Sequence, residues 1–166
     1  MRLPILTAAI TALSLALPTT AQEVQVFGGN GMRANSFVGL FGKDMMAAIT
    51  VTHGQPMWRD SYTNMLDNLK GKTHRLGKDL WTTFMTSVPI SIGGSTVPTG
   101  CYVVGLHCDK EGNFSLAMLN ASKAMKAGNM PFGAQNWKAD VMTPLKLNKN
   151  VTKDSVQKMT MTLSAN

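Results

Sequence analysis

His53, Trp58, Arg59, Arg75 and Trp81 are the side chains of this 166-residue chain whose types and spacing best suit chemistry. His53 continues the apolar face of an alternating run, after Ile49 and Val51, and Gly54 and Pro56 then turn the chain toward Trp58 and Arg59. An imidazole at a strand end, beside an aromatic and a cation, can serve as a general base or contact a ligand. Its commoner use is a hydrogen-bonded place at the rim of a core. Arg75 and Trp81 form a second pair, with His74 as a neighbouring donor. If their strand lies beside the one ending at His53, Trp58 and Trp81 frame a shallow groove. Aromatics flanked by arginine suit a sugar or an anionic polymer, through stacking and charge-assisted hydrogen bonds. The competing role for both tryptophans is to fill a core.

Other chemistries lack their residues. Glu23 and Glu111 are the sole glutamates, so a carboxylate pair would have to draw on Asp60, Asp67 or Asp79. The glycines at 28, 29 and 31, and those at 39 and 42, complete neither a phosphate loop nor a dinucleotide fingerprint. No Gly-x-Ser-x-Gly, His-Glu-x-x-His or Cys-x-x-Cys is present. His53, His74, His107, Cys108 and many methionines raise the idea of a soft-metal site. Against it, adjacent His107 and Cys108 face opposite sides of a strand, and the methionines fall at apolar positions that suit core filling. No cofactor is expected.

The elements that must position these residues read as strands. Alternation is clear over 48–53, 84–92, 101–108, 114–119, 145–149 and 158–163, the last placing Met159, Met161 and Leu163 on one face. Pro89 cannot donate to a ladder, which implies an edge or a bulge there. The runs 101–108 and 114–119 make the best hairpin. Tyr62, Met65, Leu66 and Leu69 predict an amphipathic helix over 61–70, capped by Asp60 or Ser61 and stopped by Gly71. A shorter helix over 121–127 is capped by Asn120 and ended by Gly128. The glycine-rich stretch 27–42 has no pattern and reads as a loop or a loosely held extension. The fold class that follows is mainly β: one antiparallel sandwich or barrel-like domain with one amphipathic and one short helix.

Cys101 and Cys108 would lie about 23 Å apart along one strand at ~3.3 Å per residue, so a disulfide would require a bulge or a reversal near Gly105, or a partner chain. Cys108 therefore reads as a buried thiol on the face of Tyr102, Val104 and Leu106.

Residues 3–17 form an apolar run after Arg2, followed by small residues up to Ala21. That pattern is a secretory signal peptide over 1–21, too short for a permanent span. Residues 22–47 follow as an N-terminal extension or first strands, and 48–166 as the β domain. A periplasmic or secreted protein is expected, with no transmembrane segment once the signal is removed. The net charge of +7 is scattered apart from Lys70, Lys72, Arg75 and Lys78, and no nucleic-acid motif accompanies it.

Three blocks carry a family likeness: His53-Gly54-Gln55-Pro56-Met57-Trp58, then Arg75-Leu76-Gly77-Lys78-Asp79-Leu80-Trp81, then Ser91-Ile92-Gly93-Gly94 through Val97-Pro98-Thr99-Gly100. In that order they resemble an exported bacterial family catalogued as domain of unknown function 2911. The resemblance implies a secreted β-rich domain and brings no activity, catalytic residue or ligand. Histidine at position 53 departs from the aromatic common there, which argues against a catalytic role shared with that family. Three function classes result. The leading one is a non-catalytic binding or structural module of the envelope, with a glycan or another protein as partner. The others are a hydrolase-like enzyme using His53 and a periplasmic metal-binding protein.

Overall fold

The computed structural model describes residues 33–129, 138–146 and 158–164, and its architecture is mainly antiparallel β. The strands are β1 (Arg33–Phe41), β2 (Met46–Gly54), β3 (Lys72–Arg75), β4 (Thr82–Thr86), β5 (Ile90–Ile92), β6 (Ser95–Val97), β7 (Gly100–Cys108), β8 (Phe114–Asn120) and β9 (Val141–Pro144). A seven-stranded sheet runs in the order β1-β2-β4-β7-β8-β9, and β3 also pairs with β7. β3 and β4 lie end to end along the same side of β7, against residues 105–108 and 100–104. β5 and β6 make a separate hairpin. The expected signal segment 1–21 lies outside the described residues. Among the described residues no helix is long and apolar enough to cross a membrane.

Side-chain alternation sorts the large sheet into two unlike faces. Val51, Phe84, Tyr102, Val104 and Met118 share one face, through the pairs Val51–Phe84, Phe84–Tyr102 and Val104–Met118. They form the main core, where burial of one such side chain is worth about 1.5–3 kcal/mol. The layer over this face consists of Ile90, Ile92 and Val97 from the β5–β6 hairpin, plus Met161 and Leu163 from an extended strap, residues 158–164. On the other face, helix α1 (Ala121–Lys126) sets Ala124 against Val103, Ala117 and Leu119, with Trp81 packed alongside.

The hairpin turn Gly93-Gly94 takes left-handed backbone at both glycines, as the Gly-Gly pair predicts. A Cβ on Gly93 would come within 2.7 Å of a Thr143 methyl, so the turn sits tightly on β9. Tyr102 fixes the return into β7 by donating its hydroxyl to the Pro98 carbonyl at 2.8 Å.

Several expectations need correction. Part of the stretch 27–42, which reads as a loop or loosely held extension, is β1, a first strand paired with β2 along its full length. Its alternation is hidden because Phe37 and Phe41 lie on one face while Val38 and Leu40 lie on the other. The run over 84–92 is two strands: Thr86 folds its hydroxyl onto the Val88 carbonyl at 2.6 Å, and the chain leaves the sheet before Pro89. The amphipathic helix is a 3₁₀ helix over Asp60–Leu69, with Arg59 rather than Asp60 or Ser61 at its N-cap and no side-chain cap bond. Met65 on its expected inner stripe is half-exposed, so packing does not select the α spacing. β9 precedes the expected run at 145–149: Leu145 and Lys146 are irregular, and residues 147–149 lie outside the described residues. The strap is extended and joins no named strand. Cys101 is exposed and Cys108 buried, both as free thiols.

Candidate functional site

β2 ends in a tight clamp that fixes His53. The Lys78 amide donates to the Gly54 carbonyl at 3.3 Å. A Cβ on Gly54 would stand 2.1 Å from the Lys78 carbonyl oxygen, so the loop after β3 rests directly on glycine backbone. His53 is 0% exposed.

The strap runs across this strand end, and its bonds alternate. Met57 and Lys158 form an antiparallel bridge, the Met159 amide donates to the Pro56 carbonyl at 3.0 Å, and Gln55 Nε2 donates to the Met159 carbonyl at 3.3 Å. Two residues on, the Met161 amide donates to His53 Nε2 at 3.3 Å. Two further on, the Leu163 amide donates to Ser36 Oγ at 2.8 Å. Met159, Met161 and Leu163 are half-buried while Lys158, Thr160, Thr162 and Ser164 are exposed, so the period of two predicted for this run is present. Beyond Met159, however, side-chain acceptors replace a strand ladder.

Nε2 can accept only if it carries no proton, so the ring is neutral with its hydrogen on Nδ1. Nδ1 has no hydrogen-bond partner among the described residues. An unsatisfied buried donor costs about 1–3 kcal/mol. Burial is the main cause that lowers the His53 pKa from its ordinary 6.5; the Arg33 charge adds to the drop, and the Met159 backbone opposes it without reaching hydrogen-bond geometry at Nδ1. Arg33 is tied down by its own donations to the carbonyls of Trp81 at 2.6 Å and Thr52 at 3.3 Å.

Between the strap and the core face lies a chamber of about 370 Å³, partly open to solvent. Val51, Phe84, Val104 and Met118 form its floor, and Met161 and Leu163 its cover. Exposed Thr162 is at its rim, the one polar residue among the described lining. A second hollow of about 360 Å³ lies at the other end of the strap, lined by Pro56, Met57, Trp58, Tyr62 and Met159. There the Trp58 and Tyr62 rings meet edge to face, 5.8 Å apart at 88°.

The five residues singled out from the sequence are distributed as follows. His53 is sealed under the strap, and Trp58 is 49% exposed on the second hollow. Arg59 is exposed at the N-cap of the 3₁₀ helix. Arg75, opposite Gly105 on β3, donates to the Asp79 carbonyl. Trp81 packs on the α1 face of the sheet, behind His53. Trp58 and Trp81 therefore do not frame one groove with His53. The reason is the alternation itself: Arg75 and Trp81 fall on one face of the sheet, and His53 on the other. Ser36, which the structure brings to the strap, and Arg33, which bonds the carbonyls of Thr52 and Trp81, carry no motif; only their register in β1 could have pointed to them.

For the other sequence readings, His53 has no carboxylate partner among the described residues, which leaves the hydrolase reading without its base–acid pair. His74 is half-buried with its pKa lowered by burial and by Lys72, and His107 Nδ1 lies 3.0 Å from Thr73 Oγ1. Among the described residues no three His, Cys, Asp or Glu side chains gather as a metal site. The chain matches no protein-family model, no curated protein and no solved structure.

Proposed function

We propose that this protein is a non-catalytic binding domain, working in the periplasm or outside the cell, that holds a small apolar molecule between its sheet and its C-terminal strap. The observation that carries this reading is the apolar chamber of about 370 Å³. Its volume falls in the range of small-molecule sites, ~300–1,000 Å³. Its floor and cover are apolar side chains, so an apolar occupant would take that surface out of water at about 25 cal/mol per Å². The lining carries no ionisable side chain among the described residues, which favours a ligand body that is uncharged. Export rests on the apolar run at 3–17, and the spaced Gly, Pro and Trp landmarks support kinship with domain of unknown function 2911.

Fluorescence titration with N-phenyl-1-naphthylamine tests the reading. Saturable binding is expected, and Thr162→Trp, which puts a bulky ring at the rim without touching the core, is expected to abolish it. Absence of saturable binding, or an unaltered curve for Thr162→Trp, would sink the proposal.

A further inference from the structure

His53 is fully buried, yet one of its ring nitrogens is a fastening point for the strap that covers the chamber. The bond from the Met161 amide requires Nε2 as an acceptor. A proton on Nε2 turns that acceptor into a donor, and the two N–H groups then oppose each other. The neighbouring fastening, Leu163 to Ser36, involves a hydroxyl that does not titrate in this range. The strap is thus held at its centre by a single titratable group.

We propose that His53 is a proton-operated latch: protonating its ring frees the strap at Met161 and opens the apolar chamber there, so that an apolar ligand is held near neutral pH and let go in acid. This regulation rests on the chamber being a ligand site. The surroundings offer an imidazolium no bonded counter-charge among the described residues. Arg33 on β1 presses its positive charge on His53, and no carboxylate bonds to the ring among the described residues. β2 carries no other ionisable side chain, and β4 carries none. The strap offers the exposed Lys158. The loop on Gly54 offers Lys78 and Asp79, which are exposed and 4.0 Å from each other. Of these groups only Asp79 could offset an imidazolium. It is solvated, with Lys78 4.0 Å from its carboxylate and the Arg75 guanidinium bonded to its carbonyl. Burial holds the ring neutral while the strap is closed, so the proton and the closed strap exclude each other.

Two measurements on the full chain decide it. The first is N-phenyl-1-naphthylamine affinity between about pH 7.5 and about pH 5, the interval in which histidine changes charge. Kd is expected to rise about tenfold or more, the equivalent of one pKa unit of linkage. In His53→Gln, whose Oε1 can accept from Met161 without titrating, it should change by less than about twofold, within the scatter of such linkage. The second is hydrogen exchange at the Met161 amide of the unsubstituted chain, corrected for the chemical exchange rate, where protection should fall over the same interval. A probe that binds equally well at both pH values overturns the latch and leaves the chamber reading standing. A probe that binds at neither pH overturns the chamber reading. Protection at Met161 that is constant across the interval overturns the latch, whatever the probe or the variant does.

Discussion

The strand end that carries His53 depends on two residues of opposite character, a buried imidazole that titrates and a glycine with no room for a side chain. Gly54 touches Lys78 through backbone atoms on both sides, and an added Cβ would lie 2.8 Å from the Lys78 carbonyl carbon. Backbone cannot swing aside as a flexible side chain can, so Gly54→Ala must displace the loop after β3. The expected cost is about 2–3 kcal/mol, at the upper end for overpacking a tight site. It would be read from the urea midpoint at constant slope, and an unshifted midpoint would show that the loop yields freely. The sequence marks both residues, but for different reasons. Gly54 stands out because Pro56 follows it in a turn. His53 stands out because it ends an apolar alternation, which shows that it points inward. What it meets there, the Met161 amide, is 108 positions away and leaves no local trace.

At the scale of elements, local chemistry suffices where an element closes on itself. α1 is short, and its cap is explicit: Asn120 Oδ1 accepts from the Ser122 amide at 3.0 Å and the Lys123 amide at 3.3 Å. The Asn120 amide also donates to Asp140 at 2.9 Å, and Lys123 pairs with the same carboxylate, so the cap joins the helix to the approach to β9. Asn120→Ala should therefore destabilise the chain by about 1 kcal/mol, the usual value of an N-cap. Equilibrium urea unfolding would measure it, and a change near zero would show that the Asp140 contacts hold the helix by themselves. The cap and the β7–β8 hairpin were legible because their signals lie within a few residues. β1 and the strap were not fully legible. β1 has apolar residues on both faces, so its partner, not its pattern, defines it. The strap shows the period of a strand, yet its central bonds go to side chains of β1 and β2, which no periodicity encodes.

For the whole molecule, the pKa shifts set the pH range over which it is stable. His53 and His74 both lie below 6.5 in the folded state, so the unfolded chain takes up more protons as pH falls through that value. Stability drops accordingly below about pH 6.5 and is level above it. Asp109, held low by the Asn113 side chain and amide, and Asp140, held low by Lys123, act in a second window. Their contribution is present above 3.8 and is lost as pH falls from there through their folded values. Tyr102 is raised above 10.0, mainly by burial, so its contribution is lost as pH rises through that region. A plateau between about pH 6.5 and about pH 10 is expected for the unfolding free energy from urea melts, with the first acid decline flattened in His53→Gln. A curve that stays flat down to the carboxylate range would show that the histidines do not bear on folding.

The sequence by itself determined the mainly antiparallel β class, the β7–β8 hairpin, the Gly-Gly turn, the capped short helix and a buried Cys108. Each is written in a period of two or in a few neighbouring residues, where backbone conformation follows from local sterics and hydrogen bonding. Only the tertiary structure decided which face each strand shows, and so it separated Trp81 and Arg75 from His53. It also decided that His53, Ser36 and the strap meet over one chamber. Sheet register and the return of a distant segment are set by packing between parts far apart in the chain. Single residues carry no mark of that partnership until both faces are assembled.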